Sequence, residues 1–160
     1  MVGSHESGIE AASEDLYDQG LTIITGKKNQ IGFGPILAFW KSLSRKVIVM
    51  NSAEHDQRVA EISHLPHLLS VCLIQTPAQA SLEIAAAGFR DTTRLAAGPD
   101  SVWTPIFIQN RKALLRSIKA FKSNLDQFET LLRSNQAKKV AAALRGASLR
   151  RERLSQSTKP

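Results

Sequence analysis

A single cysteine, Cys72, stands among 160 residues, so no internal disulfide can form and a reducing, cytoplasmic setting is expected. It lies in Leu68-Leu69-Ser70-Val71-Cys72-Leu73-Ile74, an apolar helical stretch in which a thiol reads as core rather than as nucleophile. No run approaches the ~18 apolar residues that a membrane span needs. The N-terminus lacks the basic-then-apolar order of a signal peptide, and Gly3 stands one place too late for myristoylation. Zinc signatures are missing too, with neither a cysteine cluster nor a His-Glu-x-x-His pattern. Gly32-Phe33-Gly34 lacks the third glycine and the long apolar strand of a dinucleotide fingerprint and reads as a turn. No internal repeat is found.

What is present fits one globular domain. Charged residues make up 22% and the hydrophobic set 42%, a composition that excludes disorder. The formal charge of +7 suggests a nucleic-acid binder until it is located. Residues 136–160 hold seven basic residues and one acid, so +6 of the charge sits in the tail and the rest of the chain is nearly neutral. That tail lacks interleaved aromatics, and nucleic acid is not the expected partner.

Along the chain, Ile9, Ala12, Leu16 and Tyr17 predict a short helix from Ser7. Leu21–Thr25 and Lys46–Met50 are rich in β-branched residues and read as strands. Between them, Pro35 is placed to begin a helix through Leu43. Ser52 or Ala53 would open a helix toward Gln75, kinked by Pro66. Pro77 would start another that ends near Gly88, with the stretch from Gly88 to Pro99 partly loop. Ser101 would cap one long helix to about Asn135, with Ile106, Leu114, Ile118, Phe121, Leu125, Phe128 and Leu132 along it. A helix of that length exceeds what one small core covers, so part of its face is expected to meet another subunit. The expected fold is mainly α: a small α/β segment with two short strands at 1–51, a helical domain at 52–135, and a basic, frayed tail at 136–160.

Ionisable chemistry is concentrated in Glu54-His55-Asp56, Ile62-Ser63-His64-Leu65-Pro66-His67 and Gly88-Phe89-Arg90-Asp91-Thr92-Thr93-Arg94. At 100° per residue, Asp56, Ala60, Ser63 and His67 share a stripe, with His64 beside it. Polar groups buried on one face need partners or a ligand. Taken singly, His55 reads as a helix-start residue, His64 as a surface residue and His67 as a hydrogen-bonded core histidine. Together, and with Arg94 downstream, they point to a site. His64 and His67 with Asp56 could share a metal, but the spacing alone is weak support. Arg90 with Asp91 reads as a surface ion pair. Arg94 has apolar neighbours and reads as internal, suited to a carboxylate through its planar fork. Trp103 reads as a core plug or a pocket wall.

These motifs, in their order and spacing, resemble the C-terminal domain of prephenate and arogenate dehydrogenases from Gly3 to about Leu132. The opening Gly3-Ser4-His5-Glu6-Ser7-Gly8 resembles the segment after that family's catalytic His-Pro. The resemblance implies a helical substrate and dimerisation domain of a tyrosine-biosynthesis oxidoreductase, with NAD or NADP held by a Rossmann half. That half and the general-base histidine would lie before Met1, so the chain alone is expected to be inactive. It implies that Arg94 holds a substrate carboxylate, that His67 lines the pocket and responds to the product side chain, and that Ser4, His64 and Trp103 bind or support substrate. His55 and Asp56 would form a polar gate, with His5 standing where an acid is usual and Glu6 as its substitute. Ala87 replaces a glycine seen in some members. The implied ligands are prephenate or arogenate, with tyrosine as inhibitor and a second copy as partner. An alternative is a non-catalytic helical dimer that binds an aromatic amino acid or its precursor.

Overall fold

A computed structural model describes Tyr17 and residues 20–27 and 29–157. The opening helix expected from Ser7, apart from Tyr17, lies outside these residues, as do Ser4, His5 and Glu6. Helix dominates, with one small sheet, as expected. The chain forms two compact units, Met1–Ala113 and Leu114–Pro160.

The first unit begins with β1 (Leu21–Thr25), α1 (Phe33–Leu43) and β2 (Lys46–Met50). The strands pair in parallel from Leu21 with Lys46 to Thr25 with Met50. Parallel neighbours need a crossover, which α1 supplies. The helix starts two residues before Pro35, at Phe33, because Gly32 takes a left-handed φ of 82° and turns the chain into it. Pro35 still sits in the first turn, where its missing N–H costs nothing. Phe33 and Met50 are buried, while Ile36, Phe39 and Leu43 of α1 are exposed.

Helical structure then runs without interruption from Ser52 to Gln75, as α2 (Ser52–Val59), a π-helical segment (Ala60–His64) and α3 (Leu65–Gln75). The cap is Asn51 rather than Ser52 or Ala53, and its side chain accepts from the Glu54 N–H at 2.9 Å. Pro66 leaves its kink as a widened turn. It has no N–H to give four residues back and its ring crowds the carbonyl there. The backbone inserts a residue instead, and Leu65 N–H bonds to Ala60 O, five residues back.

Beyond Pro77 only α4 (Gln79–Leu82) forms, and Gly88 lies inside α5 (Ala87–Thr93) instead of ending a helix. A 3-10 turn (Arg94–Ala97) follows. The long helix expected from Ser101 to Asn135 is two: α6 (Asp100–Gln109), capped at Pro99, and α7 (Arg111–Arg133). Asn110, at φ −98° and ψ 21°, breaks them.

The second unit holds α7 from Leu114 and α8 (Ala137–Ser157). Asn135 adopts φ 50°, and Gln136 N–H reaches Leu131 O while Asn135 N–H reaches Leu132 O. This pair of bonds closes α7 as glycine commonly does, with asparagine tolerating the left-handed position. The tail expected to fray is helical through Ser157, since Gly146 alone does not stop it.

Candidate functional site

The site is built on the widened turn between α2 and α3. His64 ends that turn and His67 lies in the first turn of α3, three residues on and about 60° round the helix. Both imidazoles meet α6. His67 stacks on Trp103 with ring centroids 3.6 Å apart and planes 19° from parallel, and its edge meets Phe107 at 5.8 Å. His64 lies 6.4 Å from Trp103 and 6.5 Å from Phe107.

His67 is 3% exposed, and its Nδ1 has no hydrogen-bond partner among the described residues. The bonded core histidine expected from sequence is therefore buried but unbonded at Nδ1. Leaving a buried polar atom unpaired costs about 1–3 kcal/mol, which makes it a candidate contact for a ligand. Burial lowers the pKa of His67 from 6.5, and the ring is held toward its neutral form.

Gly98 closes the other side. A Cβ at this position would lie 2.6 Å from Trp103 Nε1 and 2.8 Å from His67 Cε1. Its φ of −64° suits any residue, so the requirement is one of space. Ser70, buried on α3, ties the loop down by donating to Thr92 O at 3.3 Å and accepting from Ala96 N–H at 3.0 Å. Thr93 is buried and donates to Phe89 O at 2.8 Å. The segment that carries Arg94 is thus fixed to α3 at both ends.

Arg94 itself is exposed, and among the described residues its guanidinium forms no ion pair. The internal placement expected from its apolar neighbours does not hold, because the 3-10 turn carries the side chain outward. Arg90 is exposed as well and forms no ion pair among the described residues. Cys72 is exposed rather than core. The buried face of α3 is centred on polar His67 and Ser70, and Cys72 lies on the opposite side.

A second cluster adjoins the first. His55 Nδ1 and Asp56 Oδ1 are 3.1 Å apart. With Val59, His64, Ile106, Gln109 and Asn110 they line a cavity of about 270 Å³. Asn110 donates to Asp56 O at 2.8 Å and stands 3.2 Å from His64 Nδ1. Burial lowers the His64 pKa from 6.5, opposed by the Asp56 charge and aided by His55. Of the predicted site residues the structure therefore joins His55, Asp56 and His64 at one cavity and His67 and Trp103 in one stack. Among the described residues no three His, Cys, Asp or Glu side chains gather to hold a metal. Sequence reasoning missed Asn110, Gly98 and Ser70. Asparagine inside an apolar helix pattern was the one available signal, since it is a poor interior helix residue.

A sequence profile described as "Prephenate dehydrogenase, dimerization domain" matches residues 51–146. The chain is similar to the prephenate dehydrogenase of Lactococcus lactis subsp. cremoris (strain MG1363), at 32% identity over 133 residues, covering 79% of this chain and 36% of that protein. It is similar in structure to Synechocystis arogenate dehydrogenase, with a TM-score of 0.82 and 29% identity, over 96% of this chain and 59% of that one. The fold also matches A. aeolicus prephenate dehydrogenase in complex with hydroxyphenyl propionate and NAD+, with a TM-score of 0.84 and 23% identity, over 95% of this chain and 56% of that one. The chain thus spans about a third to three fifths of the proteins it resembles.

Proposed function

The chain belongs to the prephenate dehydrogenase family through its dimerization domain, and from this premise we propose that it is the substrate-binding and dimerising part of a dehydrogenase acting on prephenate or arogenate. The observation that carries the reading is His67, buried and stacked on Trp103 with Nδ1 unpaired, in a family whose relatives act on such ring compounds. An aromatic or cyclohexadienyl ring suits the flat, apolar walls of Trp103 and Phe107. Arg94, exposed on a turn anchored to α3, supplies a carboxylate clamp. His55 and Asp56 act as the polar gate beside His64, and Ser4, His5 and Glu6 complete the site as the resemblance implies.

The described residues do not fit a nicotinamide cofactor. Gly32 follows β1 only after six intervening residues, so no tight strand–turn–helix cradle faces a pyrophosphate. NAD or NADP is therefore assigned to another part of the enzyme, and no hydride step is derived from this chain. Among the described residues both edges of the two-stranded parallel sheet are unpaired and Ile36 and Phe39 are exposed on its crossover helix, which supports further strands and a covering layer from that part.

The test is to titrate prephenate, arogenate and tyrosine calorimetrically into the chain, alone and mixed with a nucleotide-binding half. Arg94→Lys keeps the charge but loses the fork, and a loss of about 1.5 kcal/mol in affinity is expected, near the lower end for charged hydrogen bonds because the group is exposed. Arg90→Lys should change affinity by well under about 1 kcal/mol. Equal losses would move the clamp, and no binding in either setting would overturn the reading. Binding without turnover in the mixture would favour the non-catalytic alternative.

A further inference from the structure

Asn110 sits at the end of α6 with two contacts from one nitrogen. Its Nδ2 lies 2.8 Å from Asp56 O and 3.2 Å from His64 Nδ1. A backbone carbonyl can only accept, so the amide must turn its NH2 toward Asp56. The second N–H of that group then meets His64 Nδ1, which must present its lone pair. A lone pair on Nδ1 leaves the ring proton on Nε2. One fixed carbonyl thereby sets the amide, and the amide sets the histidine tautomer.

We propose that Asn110 is a positioning residue that holds His64 as the neutral Nε2–H tautomer, and that protonation of His64 opens the tie between α2 and the end of α6. An imidazolium carries N–H at both nitrogens, so two donors would face each other at Nδ1. Either the ring leaves the amide, or the amide rotates and gives up Asp56 O.

The groups around the ring are few. Asp56 on α2 favours the cation and His55 opposes it. Trp103 and Phe107 of α6 bring no charge. His67 on α3 is itself pushed toward its neutral form by burial. Burial is the largest influence on His64 and acts in the same direction as the Asn110 contact. A ligand atom that meets Nε2 must then accept a hydrogen bond, as a carboxylate or hydroxyl oxygen does. That consequence alone rests on the substrate reading above.

The test uses the ligand-free chain, which separates the two. Ring ¹⁵N spectra above the titration should show His64 protonated at Nε2 and bare at Nδ1. The Asn110 side-chain NH2 signals should move with the same midpoint as the His64 ring. Asn110→Asp offers Nδ1 a carboxylate, so the proton should transfer to Nδ1 and the midpoint should rise by about one pH unit or more. If that variant does not fold, the unaltered chain decides through the shared midpoint. A wild-type proton on Nδ1, an Asn110 amide indifferent to the His64 titration, or an aspartate variant with unchanged tautomer and midpoint would each overturn the proposal.

Discussion

At the scale of single residues, the site depends on a space that only glycine leaves. His67 and Trp103 stack at 3.6 Å, and Gly98 approaches both rings closely enough that a methyl group would sit within 2.6–2.8 Å of them. Gly98→Ala should therefore force the stack apart and destabilise the chain by about 1–3 kcal/mol, the usual range for overpacking. Gly146, in the middle of α8, has nothing within 4 Å of its missing Cβ. Gly146→Ala should instead stabilise by about 0.5–1 kcal/mol through helix propensity. Urea denaturation of both variants checks the pair, and a neutral Gly98→Ala would show that the stack is slack. None of this was legible in Gly98-Pro99, which reads only as a loop, because the crowding needs both Trp103, five residues on, and His67, 31 residues back. The helical pattern put Asp56, Ser63 and His67 on one stripe with His64 beside it, yet could not say that Nδ1 of His67 would be left unpaired.

At the scale of elements, what the sequence revealed depended on whether local pattern or tertiary contact decided the outcome. The strands Leu21–Thr25 and Lys46–Met50 were readable to the residue, since β-branched runs between breakers admit little else. The widened turn at Ala60–His64 was not, because a 100° template assumes the regular helix that Pro66 disrupts. The break at Asn110 was hidden by apolar periodicity that continues across it, and the side-chain bonds to Asp56 and His64 hold it. These elements predict a pH dependence. His64 and His67 both have folded pKa values below 6.5, so as pH falls through 6.5 the unfolded chain takes up protons that the folded chain refuses. Their contribution is fully present above that value and is lost as pH drops toward the lowered folded values. The urea midpoint should therefore be lower at about pH 5.5 than at about pH 7.5, and His67→Gln should flatten the difference. A midpoint that rises on acidification would contradict the burial argument.

At the scale of the whole molecule, an almost neutral body and a basic tail disguise where association would occur. The charge of +7 draws attention to the C-terminus, whereas α7 carries an exposed apolar stripe. Ile118 and Phe121, expected on the contact face, are partly covered, while Leu125, Phe128 and Leu132 are exposed at 58%, 37% and 65%. Their spacing of three and four places them on one stripe of the helix. A contiguous apolar stripe in water is a liability unless a second copy covers it, and a two-fold contact would bury the same stripe from both chains. The wild-type chain is thus expected to sediment as a dimer at roughly tens of micromolar. Leu125→Glu with Phe128→Glu places two charges in the stripe and should yield a folded monomer with unchanged helical circular dichroism. Lys138→Glu with Lys139→Glu, on the basic tail, should leave the dimer intact. A monomeric wild type would show that the stripe is covered otherwise, and dissociation by the tail variant alone would move the contact to α8.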